Sequence, residues 1–109
     1  MDIININELI QEGNQAYSMH TIFKEQKMDA QVKVGHVVIY PGQTVPLTGF
    51  SKHAENEYSV IVKGSIVTEI DGKKHRISAG QASFIPKGEE HIAVNDSEEN
   101  CELVFVMVG

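Results

Sequence analysis

The chain has 109 residues, with nine Lys plus Arg and fifteen Asp plus Glu, which gives a formal net charge of −6 at pH 7. This length predicts one domain over residues 1–109. The acidic balance, without a cluster of Lys and Arg, argues against nucleic acid or an anionic membrane surface as a partner. No apolar run approaches the roughly 20 residues of a membrane-spanning helix. Since the first residues also lack the basic flank of a secretory signal, we expect a cytoplasmic protein.

The first predicted elements lie in the N-terminal forty residues. Residues 5–13 contain asparagine caps, an apolar pair and a closing glycine, which predict a short helical stretch of one or two turns. A weakly alternating strand is predicted over residues 16–23. The alternation over residues 31–40 is clearer and predicts a strand. One face of that strand carries Val32, Val34, His36, Val38 and Tyr40, and the other carries Gln31, Lys33 and Gly35.

The rest of the chain is typical of short strands separated by glycine turns. Strands are predicted over residues 58–62, 66–70, 75–77, 82–85, 91–95 and 102–108, with a tight turn at residues 71–72. Seven or eight evenly spaced strands predict an all-β antiparallel sandwich or barrel. Met19, Met28 and Met107 are interpreted as filling the core or the strands.

The last predicted strand, residues 102–108, is apolar on both faces. One face can pack into a barrel, and the other needs a cover. We therefore expect a homodimer, or a cover supplied by the N-terminal segment.

Two segments, residues 51–64 and 80–95, carry most of the side chains able to bind a metal ion. The second segment has Gly80, five residues, Pro86, one residue, Gly88, two residues, His91, three residues and Asn95. The first has His53, three residues, Glu57, six residues and Gly64. In this order, the two spacings resemble the second motif and the latter part of the first motif of the cupin superfamily. The resemblance covers about residues 40–108, and the motif-bearing barrel is expected over 31–108.

The resemblance implies a double-stranded β-helix, the jelly-roll barrel of cupins, with a divalent metal ion in its mouth. By correspondence with the family motifs it assigns His53, Glu57 and His91 as metal ligands. The first histidine of the family's HxH pair is missing here. Its place falls on Ser51 when counted back from His53, and on Thr48 when counted forward from the preceding glycine. Either hydroxyl is a candidate for a weak fourth ligand.

The residues also support a metal site without the family. His53, Glu55 and Glu57 share the parity of an extended chain, and the turn before His91 can bring it alongside them. Two imidazoles and one carboxylate suit Fe(II), Mn(II), Zn(II) or Ni(II) without selecting among them. Such a set leaves coordination positions open for water or a chelating substrate.

Several other polar residues have two interpretations. Glu55 is a catalytic candidate and an alternative carboxylate ligand, or a solvated loop acid. His36 is a catalytic acid or base in the pocket, or a buried histidine bonded to a neighbour. Asn95 is interpreted as a cap of a turn or strand end. The single cysteine, Cys101, excludes an internal disulfide and is interpreted as an inert core residue.

Two functions from different classes follow. The first is a small metal-dependent enzyme that acts on a small organic molecule by dioxygenase, isomerase or lyase chemistry. The second is a non-catalytic barrel, with or without a metal, that binds or senses a small molecule. The only arginine, Arg76, lies near a turn, which leaves Lys52 as a weak candidate to bind a carboxylate, so a neutral or metal-chelated substrate is favoured.

Overall fold

The computed structural model describes residues 1–27 and 30–109, so the expectation for Met28 lies outside the described residues. Within these residues, a 3-10 turn at Ile6–Glu8 is followed by ten strands. These are β1 Glu12–Gly13, β2 Tyr17–Lys27, β3 Ala30–Ile39, β4 Thr44–Val45, β5 Asn56–Lys63, β6 Ser65–Ile70, β7 Lys73–Ser78, β8 Ala82–Ile85, β9 Ile92–Val94 and β10 Cys101–Val108. No helix in the described part of the chain has the length and apolar character needed to cross a membrane.

The strands form two antiparallel sheets, which confirms the predicted all-β class. The six-stranded sheet has the order β1-β2-β3-β10-β5-β8, and the four-stranded sheet has the order β4-β9-β6-β7. Each predicted strand is present, although β2 runs further than the alternation indicates. The two-residue strands β1 and β4 were not predicted, because two residues are too few to show a period.

The N-terminal helical stretch is shorter than the sequence indicates. Only one 3-10 turn forms, with the Asn5 side chain accepting a hydrogen bond from the backbone N–H of Asn7. Leu9 is already extended, and Gly13 pairs with Ser18 in the strand pair β1–β2. A Cβ added at Gly13 would lie 2.2 Å from a backbone oxygen, so this glycine is needed for close strand approach and not for ending a helix.

The six-stranded sheet presents one face to the interior. Along β3, Lys33, Val37 and Ile39 line the interior cavity. The apolar face predicted for this strand, which contains Val34 and His36, is therefore the outer face of the sheet. The prediction of the strand is confirmed, but the period alone does not tell which of its two faces is buried.

A small core closes the interior around the start of β10. It consists of Ile39, Ile61, Ile66 and Cys101, with Val37 and Leu103 among the partly buried side chains packed against it. Above this core the two sheets enclose an open cavity of about 600 Å³. The barrel is thus filled at one end and open at the other.

Asn95 is fully buried and organises the loop that leads into β10. Its amide nitrogen donates to the carbonyl oxygens of Ile39 and Glu99, at 3.0 and 2.7 Å. Its side-chain oxygen accepts from the backbone N–H and the hydroxyl of Ser97, at 3.1 and 2.9 Å. One side chain therefore replaces a backbone turn at this point and connects the loop to the end of β3.

Replacement of Asn95 by alanine is expected to lower the free energy of unfolding by about 3 kcal/mol, because it leaves buried carbonyl and N–H groups without partners. Urea denaturation of the variant measures this loss. Asn100→Ala, at an exposed position nearby, is the matched control and should change stability by less than about 0.5 kcal/mol. Equal stability of the two variants would contradict the capping role.

Cys101 has no exposed surface, and this burial raises the pKa of its thiol to about 11. The ordinary value is 9.0, so between the two values the unfolded chain loses its proton before the folded chain does. The contribution of Cys101 to stability is therefore complete below pH 9.0 and is lost as the pH rises toward 11.

We expect iodoacetamide to alkylate Cys101 much more slowly in the folded protein than in urea at the same pH, as followed by mass spectrometry. The free energy of unfolding should also fall more steeply with rising alkaline pH in the wild type than in Cys101→Ala. Rapid alkylation of the folded protein would show that the thiol is accessible.

Candidate metal centre

Three of the expected ligands meet at the open end of the cavity. One nitrogen from each of His53 and His91 and one carboxylate oxygen of Glu57 all lie within 4.8 Å of one another. The Nε2 atom of His91 is 3.6 Å from Oε2 of Glu57, and the two imidazole ring centroids are 5.3 Å apart. Only 9% of the His91 side chain and 15% of the Glu57 side chain are exposed. These residues form a group that can hold a metal ion.

Backbone hydrogen bonds bring the three side chains together from separate segments. Glu57 lies on β5 and faces the cavity. Ser51 and His91 form an antiparallel bridge with two backbone hydrogen bonds of 2.8 and 3.0 Å. The backbone N–H of Gly88 donates to the carbonyl oxygen of His53 at 2.8 Å. The segment with His53 is thus attached to the turn that precedes His91.

His53, Glu55 and Glu57 all line the cavity, as their shared parity predicts. They do not belong to one continuous strand, because the chain bends at residues 54–55 and β5 begins at Asn56. A backbone hydrogen bond to the turn at Gly88 helps to position His53. Glu55 also lines the cavity but is not part of the three-residue group, in which Glu57 supplies the carboxylate.

The hydrogen bonding of His91 leaves its second ring nitrogen facing Glu57. Its Nδ1 atom is 3.0 Å from the carbonyl oxygen of Glu89. Because a carbonyl can only accept, Nδ1 is the donor in this hydrogen bond. The Nε2 atom then lies 3.6 Å from a carboxylate oxygen of Glu57, beyond hydrogen-bond distance. Both atoms are usual ligands of a divalent ion, so the donor set fits such an ion.

The two candidates for a weak fourth ligand lie in different environments. Ser51 lines the cavity, and its bridge places it directly opposite His91. Directly opposed residues of an antiparallel pair project to the same side. Thr48 is exposed and does not line the cavity. The structure therefore brings Ser51, and not Thr48, close to the metal-binding group.

His36 lies away from this group, on the outer face of the six-stranded sheet. Its Nε2 atom is 2.7 Å from a carboxylate oxygen of Glu102, and its ring centroid is 6.1 Å from that of His20. Residues 3–7 of the N-terminal segment line a small surface cavity together with His36 and Glu102. His36 is thus a largely buried histidine bonded to a neighbour, which was one of its two interpretations.

The two cations considered from the sequence are also outside the cavity. Arg76 donates to both carboxylate oxygens of Asp96, at 2.9 and 2.6 Å. The hydrogen bonding raises the pKa of Arg76 and lowers the pKa of Asp96. Lys52 is exposed and does not line the cavity. Neither residue is placed to bind a ligand there.

Two charged residues of the cavity are not among the candidates that the sequence suggests. These are Lys24 and Lys33, which both line the cavity. They are direct partners in the register of β2 and β3, so the two cations lie side by side on the wall. The available signal was the alternation of residues 31–39, which puts Lys33 on the same face as Val37 and Ile39.

Comparison with known proteins identifies the domain. The family model described as "Cupin domain" matches residues 35–107. In structure, the chain resembles a predicted oxalate decarboxylase from Thermotoga maritima, with a TM-score of 0.78 and 21% identity over 97% of both chains. This likeness shows the fold.

Two curated relatives are similar in sequence. One is the tetracenomycin polyketide synthase protein TcmJ of Streptomyces glaucescens, 26% identical over 66% of this chain and 47% of TcmJ. The other is the HTH-type transcriptional regulator PuuR of Escherichia coli strain K12, 29% identical over 94% of this chain and 54% of PuuR. The chain thus spans about half the length of each relative.

Proposed function

The chain belongs to the cupin family, and from this membership we propose that it binds one divalent metal ion through His53, Glu57 and His91 and acts on a small organic molecule. The observation that carries the proposal is the convergence of His53, Glu57 and His91, whose ligand atoms lie within 4.8 Å of one another. Residues 1–109 then form a single cupin domain, with the motif-bearing barrel over 31–108.

The proposed roles follow from placement in the cavity. Two imidazoles and one carboxylate would hold Fe(II), Mn(II), Zn(II) or Ni(II), and such an ion polarises an oxygen atom of a bound substrate. Ser51, opposite His91, would offer a weak fourth oxygen. Glu55, which lines the cavity beside the group, is the proposed general acid or base. His36 is outside the cavity and has no role in this proposal.

The similarity to a polyketide synthase protein supports an oxygen-containing organic substrate, which suits a metal with open positions. The dioxygenase, isomerase and lyase chemistries differ in what happens to that oxygen-bearing group. We propose a turnover function on this basis, without selecting one of the three.

A second candidate function is a non-catalytic barrel that binds or senses a small molecule. The similarity to a transcriptional regulator over 94% of this chain favours it. In that case the cavity would bind an effector without changing it. The two functions differ in one measurable property, the chemical conversion of a bound ligand.

We also propose that the protein is a homodimer formed through the outer face of the six-stranded sheet. Tyr58, Val60, Val62 and Phe84 on this face are 46–54% exposed, and the rings of Tyr58 and Phe84 lie 4.9 Å apart. The N-terminal segment meets the sheet at His36 and Glu102 and leaves these side chains open. An apolar patch of this kind is typical of an interface.

The metal site is tested by elemental analysis of the wild type and His91→Ala after loading with each candidate metal and desalting. We expect about one ion per chain in the wild type and little in the variant. His75→Ala, on the exposed strand β7, is the matched control and should retain the metal. At metal concentrations near 100 times the Kd, stability should rise by about 2.7 kcal/mol, which a chelator reverses. A wild type that retains none of the metals would overturn the proposal.

Catalysis is tested by incubating the metal-loaded wild type and Glu55→Gln with a panel of small oxygenated compounds and following products by mass spectrometry. We expect conversion by the wild type and a decrease of about 10²–10⁴-fold in the variant, the usual contribution of a general acid or base. Tight binding of a panel compound without any conversion would instead support the sensing barrel.

The dimer is tested by sedimentation velocity. Val60→Lys puts a charge in the centre of the exposed apolar patch, so we expect it to shift a wild-type dimer to monomer. His75→Lys places a lysine on the exposed strand β7 of the other sheet and should remain dimeric. A monomeric wild type at high protein concentration would show that this face has another role.

A further inference from the structure

A continuous row of side chains crosses the cavity wall. In register, Lys24 on β2 is opposite Lys33 on β3, Lys33 is opposite Met107 on β10, and Met107 is opposite Glu57 on β5. All four side chains line the cavity. The two lysines therefore lie on the same wall as the carboxylate of the candidate metal centre, at a separation set by the sheet.

The separation suits a small molecule. Adjacent strands are about 4.8 Å apart, so the backbone of Lys33 is about 10 Å from that of Glu57. Met107 fills the space between them on the wall. A ligand of a few carbon atoms, held by the metal at one end, would bring its other end to the lysine side chains.

The lysine pair has no evident structural purpose. Like charges directly opposite in a sheet are destabilising. Within residues 1–27 and 30–109, neither Lys24 nor Lys33 forms an ion pair with an acidic side chain. The Nζ atom of Lys33 lies over the Phe105 ring, 5.9 Å from the ring centroid. This cation–π contact holds the ammonium group along the wall and leaves its hydrogen-bond donors free.

The charges of the cavity favour an anion once the metal is bound. Its charged side chains are Lys24, Lys33, Glu55 and Glu57, whose formal charges cancel, as 2 − 2 = 0. A divalent ion would raise the sum to +2. In a protein with a net charge of −6, such a cavity would favour an anionic ligand over a neutral one.

We propose that Lys33, assisted by Lys24, forms an anion subsite that binds the far carboxylate of a small organic dianion whose near end lies at the metal group. This inference rests on the proposed function and names its substrate class. Of the neutral or metal-chelated substrates favoured from the sequence, it selects a metal-chelated one with a second carboxylate, because the lysines that would neutralise that carboxylate lie within the cavity.

The test compares 2-oxoglutarate with 2-oxopentanoate, which have the same metal-chelating end and carbon chain and differ in the far carboxylate. Calorimetric titration of Ni(II)-loaded wild type should show at least ten-fold tighter binding of 2-oxoglutarate. Lys33→Met should bind both compounds with the affinity of 2-oxopentanoate, and Lys33→Arg should restore the preference. Lys24→Met, at an exposed position, should lose a smaller part of it.

Lys73→Met removes the same charge from the exposed strand β7 and should retain the full preference for 2-oxoglutarate. This control separates pairing of Lys33 with the far carboxylate from the effect of a change in net charge. Equal affinity of the wild type for both compounds, or binding of neither, would overturn the subsite. Retention of the preference in Lys33→Met would also overturn it.

A second measurement does not depend on the metal. Pentanoate, which has one carboxylate and no chelating oxo group, should raise the Tm of the metal-free wild type but not of metal-free Lys33→Met, compared with sodium chloride at equal ionic strength. If the Tm rises but elemental analysis shows that the wild type retains no metal, the subsite is supported and the metal proposal is overturned. If the Tm does not rise but the wild type does retain metal, only the subsite is overturned.

Discussion

The cavity depends on the alternation of side chains in the six-stranded sheet, with β10 at its centre. This strand pairs in continuous register with β3 along its full length, and with β5 on the other side. Since successive side chains face opposite sides of a sheet, a shift of one residue in the pairing of β5 with β10 would turn Glu57 outward. The same shift in the pairing of β3 with β10 would turn Lys33 outward. The hydrogen-bonded register therefore sets which charges face the cavity.

The two histidines of the candidate metal centre come from loops and are held in a different way. His53 lies before a bend in the chain, and His91 immediately precedes β9. Backbone hydrogen bonds at Ser51 and Gly88 hold these segments against each other. The carboxylate is thus on a rigid wall and the imidazoles are on mutually bonded loops. Such an arrangement fixes the spacing of the ligands while leaving one side of the site open.

Much of the fold and of the candidate metal centre can be predicted from the sequence, because strand periods and motif spacings are local. The inner face of β3 cannot, since both faces of the sheet are apolar: Phe105 packs inward, while Tyr58 and Phe84 face outward. The alternation therefore does not distinguish inside from outside. This ambiguity explains the position of His36 and the omission of Lys33. The position of His53 also depends on a long-range backbone bond, which spacing does not reveal.

The strand β7 ends the four-stranded sheet and has a consequence for behaviour in concentrated solution. Its residues Lys73, Lys74, His75 and Arg76 are all exposed. A terminal strand offers its backbone to strands of other molecules, and a dense run of cationic side chains repels a second copy of itself. The basic tetrapeptide would thus act as a gatekeeper against fibrillar aggregation.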